Sequence, residues 1–151
     1  MSPYVKRIDS DERLPESVDV VIVGGGIIGV SAAYFLARQG RSVALIEKGH
    51  IACEQSSRNW GWCRQQNRDP REMPLSSVAM GLWDGFMTDL ADDVGFRRCG
   101  LFYATDNEKQ MAEWSAWQPF GHAHGVDTRV LSGAEIARHI PEGPRKWIGG
   151  I

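Results

Sequence analysis

Glycines at positions 24, 25, 26 and 29 interrupt an apolar run directly after residues 18–23 (VDVVIV), and this junction limits the possible folds more than any other segment. The run before the glycines is β-branched and apolar, the pattern of a strand buried on both faces of a parallel sheet. From Ile27 to Gln39, Ile28, Ala32, Phe35 and Leu36 recur at helical spacing, and Gly40 stands where a helix takes its left-handed cap. Residues 42–46 (SVALI) read as the next strand, reached by a crossover that is nearly always right-handed. In this setting Gly24-x-Gly26-x-x-Gly29 has the spacing of a dinucleotide-binding turn. The first glycine permits the tight turn, the second lets backbone approach a pyrophosphate, and the third lets helix pack closely on strand. The pyrophosphate would meet unpaired amides and partial positive charge where the helix opens at Ile27 and Ile28. Glu47 stands 23 positions after Gly24, where a carboxylate accepts hydrogen bonds from ribose hydroxyls and repels a 2′-phosphate, which disfavours NADP. An ordinary strand-helix turn with a solvated Glu47 is the competing reading, and the glycines alone do not separate FAD from NAD.

The 151 residues suffice for one ordinary domain with a sizeable core. Seventeen basic and 19 acidic residues give a net charge of −2, so no basic field favours nucleic acid as a partner. Cys53, Cys63 and Cys99 form no CxxC pair and an odd number cannot all be bridged, which fits a reducing cytoplasm better than a secreted disulfide framework. Residues 1–17 are polar, lack the apolar core of a secretion signal, and read as an N-terminal arm. The nearly uncharged run from Val20 to Leu36 is short for a membrane span and holds the glycines, so no transmembrane segment is expected.

Residues 50–71 are polar and irregular, the kind of long connection that usually carries function. Residues 74–91 read as a helix with Leu75, Val78, Leu82, Phe86 and Leu90 on its core side, although Gly81 and Gly85 weaken it. A strand over 101–105, a Trp-bearing helix over 107–119, a strand over 128–131 and a helix over 133–139 closed by Pro141 follow. Residues 147–151 read as part of a further element.

The segment Ser56-Ser57-Arg58-Asn59-Trp60-Gly61-Trp62-Cys63-Arg64-Gln65-Gln66, with Arg68-Asp69-Pro70-Arg71 behind it, resembles the N-terminal part of the D-amino-acid oxidase-like FAD-dependent oxidoreductases. Glu47-Lys48 and the GGGIIG turn share in that resemblance, which covers the chain from about Val18 onward. It implies an α/β fold: a Rossmann-like FAD-binding βαβ unit with the first part of a substrate (cap) domain. The implied organisation is a first FAD-binding segment over 18–95, the start of a substrate domain over 96–140, and a return toward the FAD domain over 141–151. It also implies that FAD is the cofactor, held by Gly24, Gly26, Ile27, Ile28, Gly29, Glu47 and Lys48. Ser56, Ser57 and Asn59 would touch the pyrophosphate or ribityl chain, and Gly61 would permit close approach to the ring. Arg64 is the candidate catalytic residue, stabilising negative charge on the reduced flavin; a surface ion pair is its alternative reading. The implied activity is oxidation of the C–N bond of a small amine or amino acid by hydride transfer to the flavin.

Family members are substantially longer, so the resemblance also implies a fragment, or a subunit whose complement is another polypeptide or a second copy of itself. A non-catalytic cofactor-holding module that needs a partner, and an NAD-binding domain, are the alternatives. His122 and His124 lack a third ligand for zinc, and no metal is expected. Cys63 reads as a plain thiol rather than a flavin link, and of the six tryptophans only Trp60 and Trp62 lie on the loop assigned to the flavin.

Overall fold

The computed structural model describes residues 5–90, 92–140 and 146–151, and these form two compact units, Met1–Trp62 and Cys63–Ile151. Ala91 and Pro141, to which sequence reasoning gave a helix end and a helix stop, lie outside the described residues.

In the first unit, β1 (Val20–Val23), α1 (Ile27–Arg38) and β2 (Val43–Ile46) follow in chain order, and the two strands pair in parallel from Val20↔Val43 to Val23↔Ile46. The expected βαβ unit is therefore present. An unforeseen clamp sets its register. The Asp19 carboxylate accepts from the Ser42 amide at 2.8 Å and from its hydroxyl at 2.9 Å, while Asp19 N–H donates back to Ser42 Oγ at 2.9 Å. Those bonds, the backbone one first, hold the Asp19 carboxyl below its usual range. Gly40 takes φ +78° just past α1, as its sequence position implied.

Burial departs from the expectation of a strand covered on both faces. Val20 and Ile22 are half-buried on the α1 side, whereas Val21 and Val23 are 60% and 86% exposed. Ile46, the register partner of Val23, is also exposed. A two-stranded sheet carrying its helix on one side leaves its other side open among the described residues.

In the second unit, α2 (Met73–Asp89) is followed by β3 (Ala104–Thr105), α3 (Glu108–Ala123), β4 (Leu131–Ser132), α4 (Gly133–His139) and β5 (Gly149–Gly150). β5 lies between β3 and β4, antiparallel to both. Only glycine fits there: a Cβ on Gly150 would strike the Tyr103 carbonyl, and one on Gly149 would stand 2.8 Å from the Leu131 carbonyl oxygen. Met73 and Ile136 are fully buried, Trp114, Thr105, Thr128 and Ile151 are buried as well, and burying each of the first two side chains contributes about 1.5–3 kcal/mol.

Three expectations are corrected here. α2 buries Met73, with Ser77 and Met80 half-buried, while Leu75, Val78 and Leu82 of the proposed core stripe are exposed. α3 continues through Pro119 to Ala123. Its last turn is held by tertiary contacts, since Gln118 Nε2 donates to the Thr128 carbonyl at 3.2 Å and His122 Nε2 meets the same oxygen at 2.7 Å. The strands expected over 101–105 and 128–131 shorten to two residues each, β4 beginning only at Leu131. α4 has the expected bounds and opens on a capping box between Ser132 and Glu135.

Candidate functional site

The turn from β1 into α1 shows what each glycine does. Gly24 has φ +107°, a conformation that side chains rarely adopt, and its amide donates to the Ile46 carbonyl at 2.8 Å. A Cβ on Gly29 would collide with the Gly24 carbonyl oxygen and lie 3.3 Å from Ile22 Cγ2, so helix and strand touch through backbone at that point. Gly26 is the N-cap, with no side chain to cap the helix and no acid in the first turn. A Cβ added at Gly26 would stand 3.1 Å from Ser56 Oγ, narrowing the approach to the helix start.

Helical geometry leaves the first-turn amides without intrahelical partners. One of them, Ile27 N–H, donates to Ser56 Oγ at 2.8 Å. The picture of wholly bare amides is therefore too simple, because a serine from the later loop sits over the helix start.

Glu47, just past β2, grips backbone with both oxygens. Oε2 accepts from Gly25 N–H at 2.7 Å and Oε1 from Gly49 N–H at 2.9 Å. These bonds, Gly25 first and Gly49 second, hold its carboxyl below the usual range and keep it ionised. Each carboxylate oxygen has a second lone-pair direction, so capacity to accept a hydroxyl remains. Lys48 Nζ instead faces Glu54 at 3.6 Å, as does Arg58.

Ser56 and Ser57 belong to a short 3-10 turn, where Ser57 Oγ donates to the Glu54 carbonyl at 3.1 Å. Asn59 closes the loop: its Nδ2 donates to the Ser56 carbonyl and its Oδ1 accepts from Gly61 N–H at 2.6 Å. Gly61 has φ +71°, and Trp60 and Trp62 meet edge to face across it, with centroids 5.0 Å apart. A hollow of about 150 Å³ is lined by Gly26, Glu47, His50, Cys53, Glu54 and Ser56 among others. A wider, open one of about 640 Å³ adjoins Gly24, Ile27, Ile28, Gly29 and Asn59. The unit thus gathers the glycine turn, Glu47, Ser56 and Asn59 around two hollows. That donor set fits the diphosphate and ribose of a dinucleotide: a cradle free of Cβ atoms, first-turn amides, and an ionised acid.

Arg64 belongs to the second unit. Its guanidinium folds onto its own loop, donating to the Gln66 carbonyl at 2.7 Å and the Asn67 carbonyl at 3.4 Å. It makes no ion pair among the described residues. Gln66 is buried and accepts from Thr128 Oγ1 at 2.5 Å, while its Nε2 is buried without a partner. Arg68 and Arg71 pair with Glu72 and Asp69. His124 Nδ1 meets the Phe120 carbonyl at 2.9 Å, so both histidines of the pair bond to nearby backbone. All three cysteines are free thiols, and partial burial pushes the Cys63 thiol up, away from the reactive thiolate. No helix among the described residues is long and apolar enough to cross a membrane.

Sequence reasoning missed the Asp19–Ser42 clamp and the Gly25–Glu47 bond. The first had a signal: Asp19 and Ser42 each stand one residue before paired parallel strands. The second had none, because Gly25 is one of the variable positions inside the fingerprint.

The chain is similar along most of its length to proteins that act on amines and amino acids. It is 29% identical over 125 residues to sarcosine oxidase subunit beta of Rhizobium meliloti (strain 1021), covering 82% of this chain and 30% of that protein. Among solved structures, L-amino acid deaminase of Proteus myxofaciens, in complex with anthranilate, superposes with TM-score 0.87 at 29% identity, over 99% of this chain and 35% of that one. Glycine oxidase of Bacillus cereus ATCC 14579 superposes with TM-score 0.72 at 29% identity, over 89% of this chain and 38% of that one. The chain thus spans about a third of the length of these relatives. Of the two dinucleotides that a glycine fingerprint admits, FAD is the one that the matching family uses. Residues 19–151 match the family described as FAD dependent oxidoreductase, and the chain belongs to it.

Proposed function

We propose that this chain is the first FAD-binding part of a flavoenzyme that oxidises the C–N bond of an amine or amino acid. The observation that carries the reading is the glycine-framed opening of α1, with Ser56 over it and Glu47 ionised beside it, in a chain of an FAD-dependent family. The amides of Gly26, Ile27, Ile28 and Gly29 hold the diphosphate, with Gly24 making the turn. Ser56, Ser57 and Asn59 bind the linker beyond it, giving up part of their present bonding to do so. Glu47 accepts the ribose hydroxyls on lone pairs that Gly25 and Gly49 leave available, and Lys48, 3.6 Å from Glu54, offsets part of that residue's negative charge near the cofactor. Gly61 leaves room for the ring, and Arg64 supplies positive charge beside it. When bound, the flavin supplies the hydride acceptor, and the protein supplies orientation and electrostatics.

Residues 18–95 are the cofactor segment in this reading, 96–140 the start of the substrate domain, 141–151 a return toward the cofactor and 1–17 an arm. The free cysteines support a cytoplasmic location. The relatives' names, sarcosine oxidase, glycine oxidase and L-amino acid deaminase, support the substrate class.

The test is the absorbance spectrum of the purified full-length protein that carries this chain, followed by anaerobic addition of sarcosine, glycine and larger amino acids. Bound oxidised flavin that bleaches with one of them is expected. Flavin absent, or bound and unbleached by any amine, ends the reading. A second reading, a cofactor-holding subunit completed by another polypeptide or a second copy, is favoured by a relative named as a subunit. Light scattering decides it, since a stable lone monomer counts against a required partner.

A further inference from the structure

The loop that leaves the dinucleotide turn ends in two indoles, and Trp60 is 81% exposed. Among the described residues it is not part of a packed core. Its place is set by hydrogen bonds rather than packing. Ile27 N–H at the start of α1 holds Ser56 Oγ, the Ser56 carbonyl holds Asn59 Nδ2, and Asn59 Oδ1 holds Gly61 N–H, where the left-handed turn at Gly61 separates Trp60 from Trp62. The aromatic tip is therefore tied to the point where the diphosphate is to be held. From Ser56 to Trp60 the chain reaches at most about 14 Å.

Trp62 meets Trp60 edge to face at an interplanar angle of 70°, and such a contact uses at most one face of either ring. Trp60 keeps at least one face off the pair. The tip, Asn59-Trp60-Gly61-Trp62, carries no charge, so it offers a planar apolar group an offset-stacked partner and offers an anionic side chain no counter-ion.

We propose that Trp60, braced by Trp62, is the wall on which the substrate's side chain stacks, and that the preferred amine or amino acid carries a planar apolar group. The inference rests on the amine-oxidising reading above. Its test compares the full-length wild type with Trp60→Ala and Trp60→Phe. The first measurement is the ratio of kcat/KM for phenylalanine to that for alanine, which differ by one ring, using the enantiomer that the enzyme accepts. The second is the affinity for anthranilate, an aromatic carboxylate, read from perturbation of the flavin spectrum without turnover.

Trp60→Ala is expected to lower the phenylalanine-to-alanine ratio and weaken anthranilate roughly tenfold each, the scale of a lost aromatic pair, and Trp60→Phe to recover most of both. A ratio and an anthranilate affinity within twofold of wild type in Trp60→Ala overturn the proposal, as does a Trp60→Phe as impaired as Trp60→Ala. If Trp60→Ala does not retain flavin, Trp60→Leu replaces it under the same criteria. A wild type that binds flavin yet oxidises neither amino acid nor any other amine ends the underlying reading instead, and anthranilate affinity then decides the role of Trp60.

Discussion

Replacing Gly29 by alanine tests the packing on which the cofactor turn depends, and the structure supplies a control in which the same change has the opposite sign. In a helix interior, Gly→Ala gains about 1 kcal/mol through propensity alone. At Gly81 in α2 the new methyl meets nothing within 4 Å, so that gain is realised and Gly81→Ala stabilises by about 0.5–1 kcal/mol. At Gly29 the methyl enters the space of the Gly24 carbonyl oxygen, with the Gly24 carbonyl carbon at 3.2 Å and Ile22 Cγ2 at 3.3 Å. The obstacle is backbone in a turn that is itself bonded to Ile46, so relief requires α1 to lift from β1. Overpacking of this kind costs about 1–3 kcal/mol and exceeds the propensity gain in all but the mildest case. Gly29→Ala is expected to be net destabilised by up to about 2 kcal/mol, and to lose FAD affinity at least tenfold because the amides move with the helix. Urea denaturation followed by circular dichroism, with FAD titration of the apoprotein, measures both in the full-length protein. A Gly29→Ala variant as stable as Gly81→Ala, with unchanged FAD affinity, would refute the argument.

Further outcomes concern the second unit and acid. Thr128→Val removes the hydroxyl that serves the buried Gln66 amide, whose Nε2 already lacks a partner, and is expected to cost about 1–3 kcal/mol by the same denaturation assay; a neutral result would mean the Gln66 side chain is solvated. Ser132→Ala breaks the capping box of α4 and is expected to cost about 1 kcal/mol, with Ser132→Asp retaining most of the stability. Asp93 is drawn down to about 2 by Arg97 first and by the Gly95 amide second, and Glu47 is held below its ordinary 4.5 by Gly25 and Gly49. Depressed folded-state values stabilise fully above the unfolded ones and lose that contribution as pH falls through the folded ones, so the urea midpoint is expected to fall between about pH 4.5 and 2. A midpoint unchanged down to about pH 2.5 would contradict the assignment of these bonds.

The elements whose residues answer to local rules were readable in advance. α4 has a serine cap, a glutamate three residues on and seven residues of helix, all visible as a string. The inward face of α2 was not, because leucine and valine at helical spacing state only that a helix has an apolar stripe. Which stripe is covered depends on neighbours far along the chain, and here Met73 is buried while Leu75 is 76% exposed. Pro119 misled for a similar reason: its local effect is to end a helix, yet the Thr128 carbonyl holds the turn beyond it.

For the candidate site the division falls between residue type and partner. Sequence by itself determined that residues 20–46 form a strand-helix-strand unit with a glycine turn and an acid after its second strand, because strand periodicity, glycine's freedom and helix-start chemistry are short-range properties. Tertiary structure alone decided that Ser56 sits over Ile27 N–H and that Glu47 is committed to Gly25. Hydrogen bonds between groups more than 20 positions apart depend on where chain folding brings them, and composition and spacing carry no record of that meeting.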